Sequence, residues 1–529
     1  MKNTELKKEE INELSKEQLV DTVVSLQTSV NELLRKNEVL MEALQANNQR
    51  MFGRKSEVNQ NQLNLDLFFN EAEALQNDEI TEVTLKEAAP KRIKTKGKKA
   101  ADLSKITEHR DEYVGISTEE LNLHFGEGNY KRLPDQIIEK LEHKPAVFEA
   151  VTYHIAVYAA RNEEKAKSSI LRAKGPTELF PKSVCTPSLL AGILFAKYVN
   201  YVPLYRQEKI YEDNNIFINR TSMANWIIKA YDSYLQPVYS RMKEELLKSD
   251  IIHADETTVR CSEECKGQKR SKNYMWVYQT CENSDAHKVV LYEYQRDRRA
   301  NHPEEFLDGY HGTVVCDGYS GYHNLESVNI AGCWVHAKRK YAEYVKMLGD
   351  KARGTLAYEG MNRISNLFHI EHKIKDLPAE EHLKKRQELL KPLVDEYFSW
   401  VSDNIGNVPE KSETGKAFRY SLNQEKYLRT FLEDANIPLE NNAAERSIRP
   451  FTINRKNFVM IDSVKGAKAS AAIHSIVETA RLNNLKLYDY IKYLLEELPK
   501  YCTGISSDIP ESLMPWSAEL PSCIFKDSR

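Results

Sequence analysis

Ile251-Ile252-His253-Ala254-Asp255-Glu256-Thr257-Thr258-Val259 is a β-type run that opens on two apolar residues and then carries a carboxylate. Four more runs of this kind follow before Val335: Tyr274 to Thr280, Lys288 to Tyr294, Thr313 to Cys316 and Ile330 to Val335. Turn-length connections join the first three, which predicts an antiparallel meander; the helical stretch Pro303 to Leu307 before the fourth predicts a crossover. The expectation is an α/β core built on a mixed five-stranded sheet. From His336 to Glu433 the pattern is helical and charged, and helices are expected again through Ala443 to Ile448 and Lys465 to Leu498.

Asp255 emerges from an otherwise apolar strand and needs a partner there, which a divalent cation can be. Asp317 ends the fourth strand in Val314-Val315-Cys316-Asp317-Gly318-Tyr319, where Gly318 would permit a tight turn. If the first and fourth strands are neighbours, the two aspartates face each other, and Mg²⁺ or Mn²⁺ between them relieves their repulsion. Taken singly, a strand-ending aspartate is more often a turn or cap residue.

A metal cage needs a third acid, and Pro438-Leu439-Glu440-Asn441-Asn442-Ala443-Ala444-Glu445-Arg446-Ser447-Ile448-Arg449-Pro450 offers two. Glu445 is the first choice, because a helix would set it four residues from Arg449 and beside Arg446, among cations able to grip phosphate. Glu440, ahead of the helix start at Asn441 or Asn442, is the alternative. Arg455, Lys456 and Lys465 continue the basic character, which can equally be a solvated face. Cys333-Trp334-Val335-His336 closes the fifth strand; Cys333 and His336 supply two of zinc's four ligands, so a packed structural pair is the better reading. Cys261 and Cys265 likewise lack a companion pair.

Upstream, Leu19, Leu26, Leu33 and Leu40 recur every seven residues, with Val23, Val30, Asn37 and Leu44 four positions after each. This predicts a coiled coil and self-association through it, against the alternative of an amphipathic helix folded back on its own protein. The segment Leu63 to Glu87 is acidic, and Lys91 to Lys99 carries six cations, as a flexible linker or a phosphate-tracking arm would. Between Thr186 and Ala230, a helix through Tyr198, a second over Leu204 to Tyr211 and a third opening at Arg220 form a possible helix-turn-helix, with Arg220, Asn225 and Lys229 exposed. The expected domains are 1–60 coiled coil, 61–104 linker, 105–182 small mixed domain with its clearest strand at Ala150 to Ala159, and 183–248 helical DNA-binding region. Then come 249–335 core, 336–436 helical insertion, 437–498 core completion with the glutamate helix, and 499–529 an extended tail.

The chain has 529 residues, too many for one compact core, and no apolar run of membrane-spanning length. Met1 to Glu10 is rich in lysine and glutamate and lacks the apolar core of a secretory signal, so a cytoplasmic location is expected, nucleoid-associated when on DNA. Eight cysteines without repeated spacing suit a reducing compartment. With a formal net charge of −3, any nucleic-acid affinity must come from local basic surfaces.

The strings His253-Ala254-Asp255-Glu256-Thr257, Cys316-Asp317-Gly318-Tyr319, Cys333-Trp334-Val335-His336 and Asn441 to Pro450, in this order, resemble the insertion-sequence-66 family of prokaryotic DDE transposases. The likeness extends to Phe52-Gly53-Arg54-Lys55-Ser56-Glu57, Pro203-Leu204-Tyr205-Arg206-Gln207 and Arg455-Lys456-Asn457. It implies a ribonuclease-H-like core with a helical insertion. Asp255, Asp317 and Glu445 would hold two Mg²⁺ or Mn²⁺ ions, and Cys333 with His336 would support the insertion. The partners it implies are terminal inverted repeats, target DNA and small accessory proteins of the same element. The chain departs from the resemblance in one place: no cysteine precedes Cys185, where relatives carry a four-cysteine zinc module, so that region is expected to fold without zinc. A metal-dependent nuclease or resolvase on the same core, and a catalytically silent DNA-binding derivative, are the competing readings.

Overall fold

In a computed structural model of the chain, the described residues are 16, 20–30, 119, 157–159, 170–172, 178–181, 183–265, 272–282, 284, 286–502 and 509–526. They belong to two compact units, one of which spans Arg54–Gly175. Within that unit β1 (Val157–Ala159) pairs antiparallel with β2 (Ile170–Arg172). The rest of the expected strand from Ala150, the basic run Lys91 to Lys99 and the cysteine-free stretch at Leu121 to Gly126 lie outside the described residues.

In the other unit, residues 20–30 are helical, and Val23, Leu26 and Val30 of the heptad seam are each more than half exposed. Leu19, Leu33, Asn37, Leu40 and Leu44 lie outside the described residues. Three helices then follow where capping chemistry starts them. Thr186 accepts the Leu189 N–H ahead of α1 (Pro187–Tyr198), with proline in its first turn; α2 (Leu204–Asp213) follows Pro203; Asn219 accepts the Ser222 N–H ahead of α3 (Arg220–Ala230). A π turn, Tyr231–Leu235, carries α3 into α4 (Gln236–Leu246).

The sheet comprises β3 (Ile251–Val259), β4 (Asn273–Thr280), β5 (Val290–Gln295), β6 (Thr313–Cys316) and β7 (Asn329–Gly332), in the spatial order β5-β4-β3-β6-β7. The first three form the expected antiparallel meander; β6 and β7 join on the other side of β3, both parallel, after the short helix α5 (Asn301–Phe306). Side chains alternate as a pleated strand requires. Ile252, Ala254, Trp276, Tyr278, Val314 and Cys316 enter one core, while Ile251 and Val315 enter a second and Met275, Val277, Val290 and Tyr292 a third.

After β7 the chain is helical: α6 (Trp334–Leu348), α7 (Leu356–Ile374), α8 (Ala379–Lys385), α9 (Lys391–Ile405), α10 (Glu413–Leu428), α11 (Asn442–Phe458), α12 (Val464–Leu482) and α13 (Leu487–Glu497). The helices α6 to α10 close around Trp334, Tyr341, Tyr397 and Phe418, each buried and each worth roughly 1.5–3 kcal/mol of apolar transfer. No described helix is long and apolar enough to cross a membrane.

Three expectations need correction. The fifth strand stops at Gly332, and Trp334 to His336 begin α6, because Trp334 turns inward to donate from Nε1 to the Leu428 carbonyl (2.8 Å). The helix expected over Lys465 to Leu498 breaks at Asn483–Lys486, with Asn484 in the left-handed region at φ 60°. The C-terminal residues 509–526 are no extended tail: Leu513, Met514, Leu520 and Ile524 are buried in the same core as α13, and Lys486 donates to the Ile524 carbonyl (2.7 Å).

Candidate active site

The register Ile252↔Val314 and His253↔Val315 puts β3 directly beside β6. Beyond His253 the β6 edge of β3 is unpaired, and Asp255, Glu256 and Asp317 all reach this opening. Each offers a carboxylate oxygen, and the three oxygens lie within 4.8 Å of one another. Asp255 and Asp317 are the acids expected from the sequence; Glu256 is an addition to them. Consecutive strand residues point to opposite faces, and it is the unpaired β6 edge of β3 that lets both Asp255 and Glu256 join one cluster. Gly318 matters here for space, not for a left-handed turn: a Cβ on it would lie 2.7 Å from the Tyr420 ring.

The cluster is electrostatically unsatisfied. Burial lifts the Asp255 carboxyl well above its ordinary range, and the charges of Glu256 and Asp317 lift it further; the Glu256 N–H on Oδ1 (2.8 Å) only partly offsets this. Glu256 is pushed up to about 7, by burial first and then by Asp317, against the pull of Arg298. Arg298 donates from Nε to Glu256 Oε1 (2.6 Å), a second contact runs from its Nη2, and the same Nη2 lies 3.8 Å from Asp317 Oδ2. That pair holds the half-exposed guanidinium above its usual pKa, whereas on the deeply buried Glu256 desolvation outweighs it. Tyr322 O–H donates to Glu256 Oε2 (2.9 Å), and the Tyr319 N–H donates to Asp317 Oδ1 (2.9 Å). An all-oxygen donor set with an unmet demand for positive charge fits a hard divalent cation.

Glu445 stands in the first turn of α11, outside this triad but near enough for its charge to raise Asp255. Its oxygens take Arg339 Nη2 at 3.1 and 3.2 Å, and His336 Nε2 lies 3.6 Å away. The His336 ring therefore faces the acids, while its backbone N–H bonds the Cys333 sulfur. The Cys333 sulfur also accepts the Asn441 N–H (3.2 Å), while Trp334 N–H donates to the Leu439 carbonyl (2.9 Å). Glu440 lies on the same loop, partly exposed and outside the acid cluster.

Asn441, a helix start by its place in the sequence, is fully buried and caps nothing with its side chain. Its Nδ2 donates to the Ala254 carbonyl (2.7 Å) and its Oδ1 meets His253 Nδ1 (2.8 Å), so one side chain ties the glutamate helix to the strand bearing Asp255. With Nδ2 committed to Ala254, the proton of this second bond belongs to His253, whose burial lowers its pKa to about 4 and keeps the ring neutral.

Of the expected cations, Arg446, Arg449 and Lys456 lie on the exposed side of α11, Arg446 paired with Glu282 (2.8 Å). Arg455 is half-buried and braces β3 through Thr257 Oγ1 (3.1 Å) and the Thr258 carbonyl. Arg220 opens α3, its backbone N–H on Glu208 Oε1 (3.0 Å), and Lys229 lies over the Phe180 ring at 4.9 Å.

Residues 182–469 match the family model described as "Transposase IS66 family", more than half of the chain and all of the site. Residues 475–516 match "IS66 C-terminal element", and residues 39–107 match "Transposase C of IS166 homeodomain". Among curated proteins, the chain is 29% identical over 392 residues to "Uncharacterized protein y4qI" of Sinorhizobium fredii, covering 72% of this chain and 70% of that one. "Uncharacterized protein y4hP" of the same organism is 28% identical over 410 residues, covering 74% and 72%.

Proposed function

This chain belongs to the IS66 transposase family, and from that premise we propose that it cuts the ends of its mobile element and joins them to target DNA, with Asp255, Asp317 and Glu445 as its metal-holding acids. What carries the reading is the convergence of Asp255 and Asp317 at adjacent parallel strands, with the Glu445 helix tied to the same strand through Asn441. The strand order, an antiparallel trio followed by two parallel strands, supports a ribonuclease-H-like core. Two bound Mg²⁺ or Mn²⁺ ions would supply the Lewis acidity that activates a water or DNA 3′-hydroxyl and stabilises the leaving oxygen. Hydrolysis breaks one P–O3′ bond at the element's end and frees a 3′-hydroxyl. That hydroxyl then attacks a target phosphodiester, forming one P–O bond as another breaks.

The chain's own residues prepare this. Burial takes Asp255 away from bulk water, Asp317 stays partly exposed, and Arg339 holds Glu445 near enough for its charge to reach Asp255. Arg446, Arg449 and Lys456 would take phosphates along α11, with Arg455 bracing the strand behind them, and Arg220 and Lys229 would serve a DNA-binding region built from α1 to α3. Cys333 is a packing residue that seats Asn441. Self-association through the N-terminal heptads, accessory proteins of the same element, and a cytoplasmic, DNA-associated location complete the proposal.

The test is Mg²⁺-dependent cleavage and joining of a labelled duplex bearing the element's own end, with the accessory proteins present. Joined product that is lost in Asp255→Asn, Asp317→Asn and Glu445→Gln but largely kept in Glu440→Gln is the expected result. Cleavage without joining would favour a nuclease, binding without chemistry a silent DNA-binding derivative, and loss in Glu440→Gln alone would reverse the third assignment.

A further inference from the structure

Three carboxylates share one small opening, and a single guanidinium serves two of them. Arg298, on the loop between β5 and α5, contacts Glu256 through both Nε and Nη2 and reaches to 3.8 Å from Asp317. It is seated from behind: the guanidinium carbon lies 3.9 Å over the Tyr319 ring, and the Tyr319 hydroxyl donates to the Arg298 backbone carbonyl. The Glu256 side chain is 2% exposed and that of Arg298 38%, so the cation lies at the mouth of the opening with the acid beneath it. No other described Lys or Arg makes an ion pair with Asp255, Glu256 or Asp317.

We propose that Arg298 is a built-in counter-ion, which occupies the Glu256–Asp317 carboxylate pair in the metal-free protein and competes with a divalent cation for it. The proposal rests on the metal-binding reading above and adds Glu256 to the donors. Like-charged carboxylates this close need a cation to coexist in their ionised forms. A guanidinium supplies one diffuse positive charge from the rim, whereas a divalent ion supplies two at the centre, among oxygens already gathered to reach it. Metal uptake then carries the cost of breaking the Arg298 contacts, and metal affinity is set by how firmly Tyr319 holds the guanidinium in place.

Mn²⁺ binding to the full chain, without DNA, tests this by titration calorimetry or by the loss of the free-ion electron paramagnetic signal. Arg298→Gln should bind Mn²⁺ more tightly, on the order of 10-fold. Arg298→Lys, which keeps the charge but loses the two-point contact and the stacking on Tyr319, should fall between wild type and Arg298→Gln, and Glu256→Gln should bind more weakly. Tyr319→Leu loosens the seat of Arg298 without touching a carboxylate; it should shift affinity in the same direction as Arg298→Gln and replaces that variant if it fails to fold. Unchanged or weaker binding in Arg298→Gln and Tyr319→Leu, or wild-type binding in Glu256→Gln, would overturn the proposal while leaving the metal site standing. No Mn²⁺ uptake by the wild type, or full uptake by Asp255→Asn and Asp317→Asn, would overturn the metal reading itself, and the counter-ion with it.

Discussion

Replacing Asn441 by alanine should cost far more than one loop side chain suggests. The substitution removes the bond from Nδ2 to the Ala254 carbonyl and the bond between Oδ1 and His253 Nδ1, all four groups being buried. Neither orphaned partner can reach water: Ala254 is fully buried and His253 is 3% exposed. A buried polar group left without a partner costs about 1–3 kcal/mol, so the pair should cost about 2–6 kcal/mol. Urea unfolding measures this directly, as a lower midpoint at unchanged slope. Asn441→Asp keeps the acceptor for His253 but loses the donor to Ala254, and should fall between wild type and alanine. The same bonds fix the Glu445 helix against the Asp255 strand, so DNA cleavage should drop further than stability explains, on the order of 100-fold under conditions where the variant is fully folded. A stability loss under about 1 kcal/mol, or cleavage at the wild-type rate, would refute the claim that this side chain is the tie between strand and helix.

Arg386, 1% exposed in the helical insertion, donates to Glu371 and to the carbonyls of Phe431, Asp434 and Ile437 on the segment that leads to α11. Arg386→Met removes all of these bonds, leaving Glu371 only His382 (3.1 Å) and the Asp434 carbonyl only the Ile437 N–H (3.3 Å), and should cost about 3–5 kcal/mol in urea unfolding; a variant as stable as wild type would show that the insertion does not anchor that segment. Because the folded-state pKa of Glu256, about 7, lies above its ordinary 4.5, the folded protein holds an extra proton between those values. Its contribution therefore favours the fold most below pH 4.5 and fades as pH rises through that window. Glu256→Gln should flatten this part of the metal-free stability profile; an unchanged profile in the variant would place the titration elsewhere.

Local chemistry carried much of the fold. The meander and the two later strands follow from alternating apolar runs and short connections, and α1 and α3 begin where Thr186 and Asn219 can cap them. The same local reading failed where a distant partner decides the conformation. Trp334 has good strand propensity, yet the carbonyl of Leu428 and the aromatic cluster of the insertion draw it into a helix. The apolar residues of 509–526 gain burial only because the core around α13 is there to receive them.

At the site, Asp255 and Asp317 were legible because carboxylates in or at the end of apolar strands are conspicuous by composition alone. Glu256, Arg298 and Asn441 were not. Glu256 belongs, by strand periodicity, to the opposite face; Arg298 is one more arginine in a polar loop; Asn441 looks like any helix cap. Sequence determined the elements, their order and which acids were worth watching, since propensity, capping and period act over a few residues. Only the tertiary structure decided which charges meet and what holds them, because burial and pairing between residues tens to hundreds of positions apart depend on how the sheet and helices close around them.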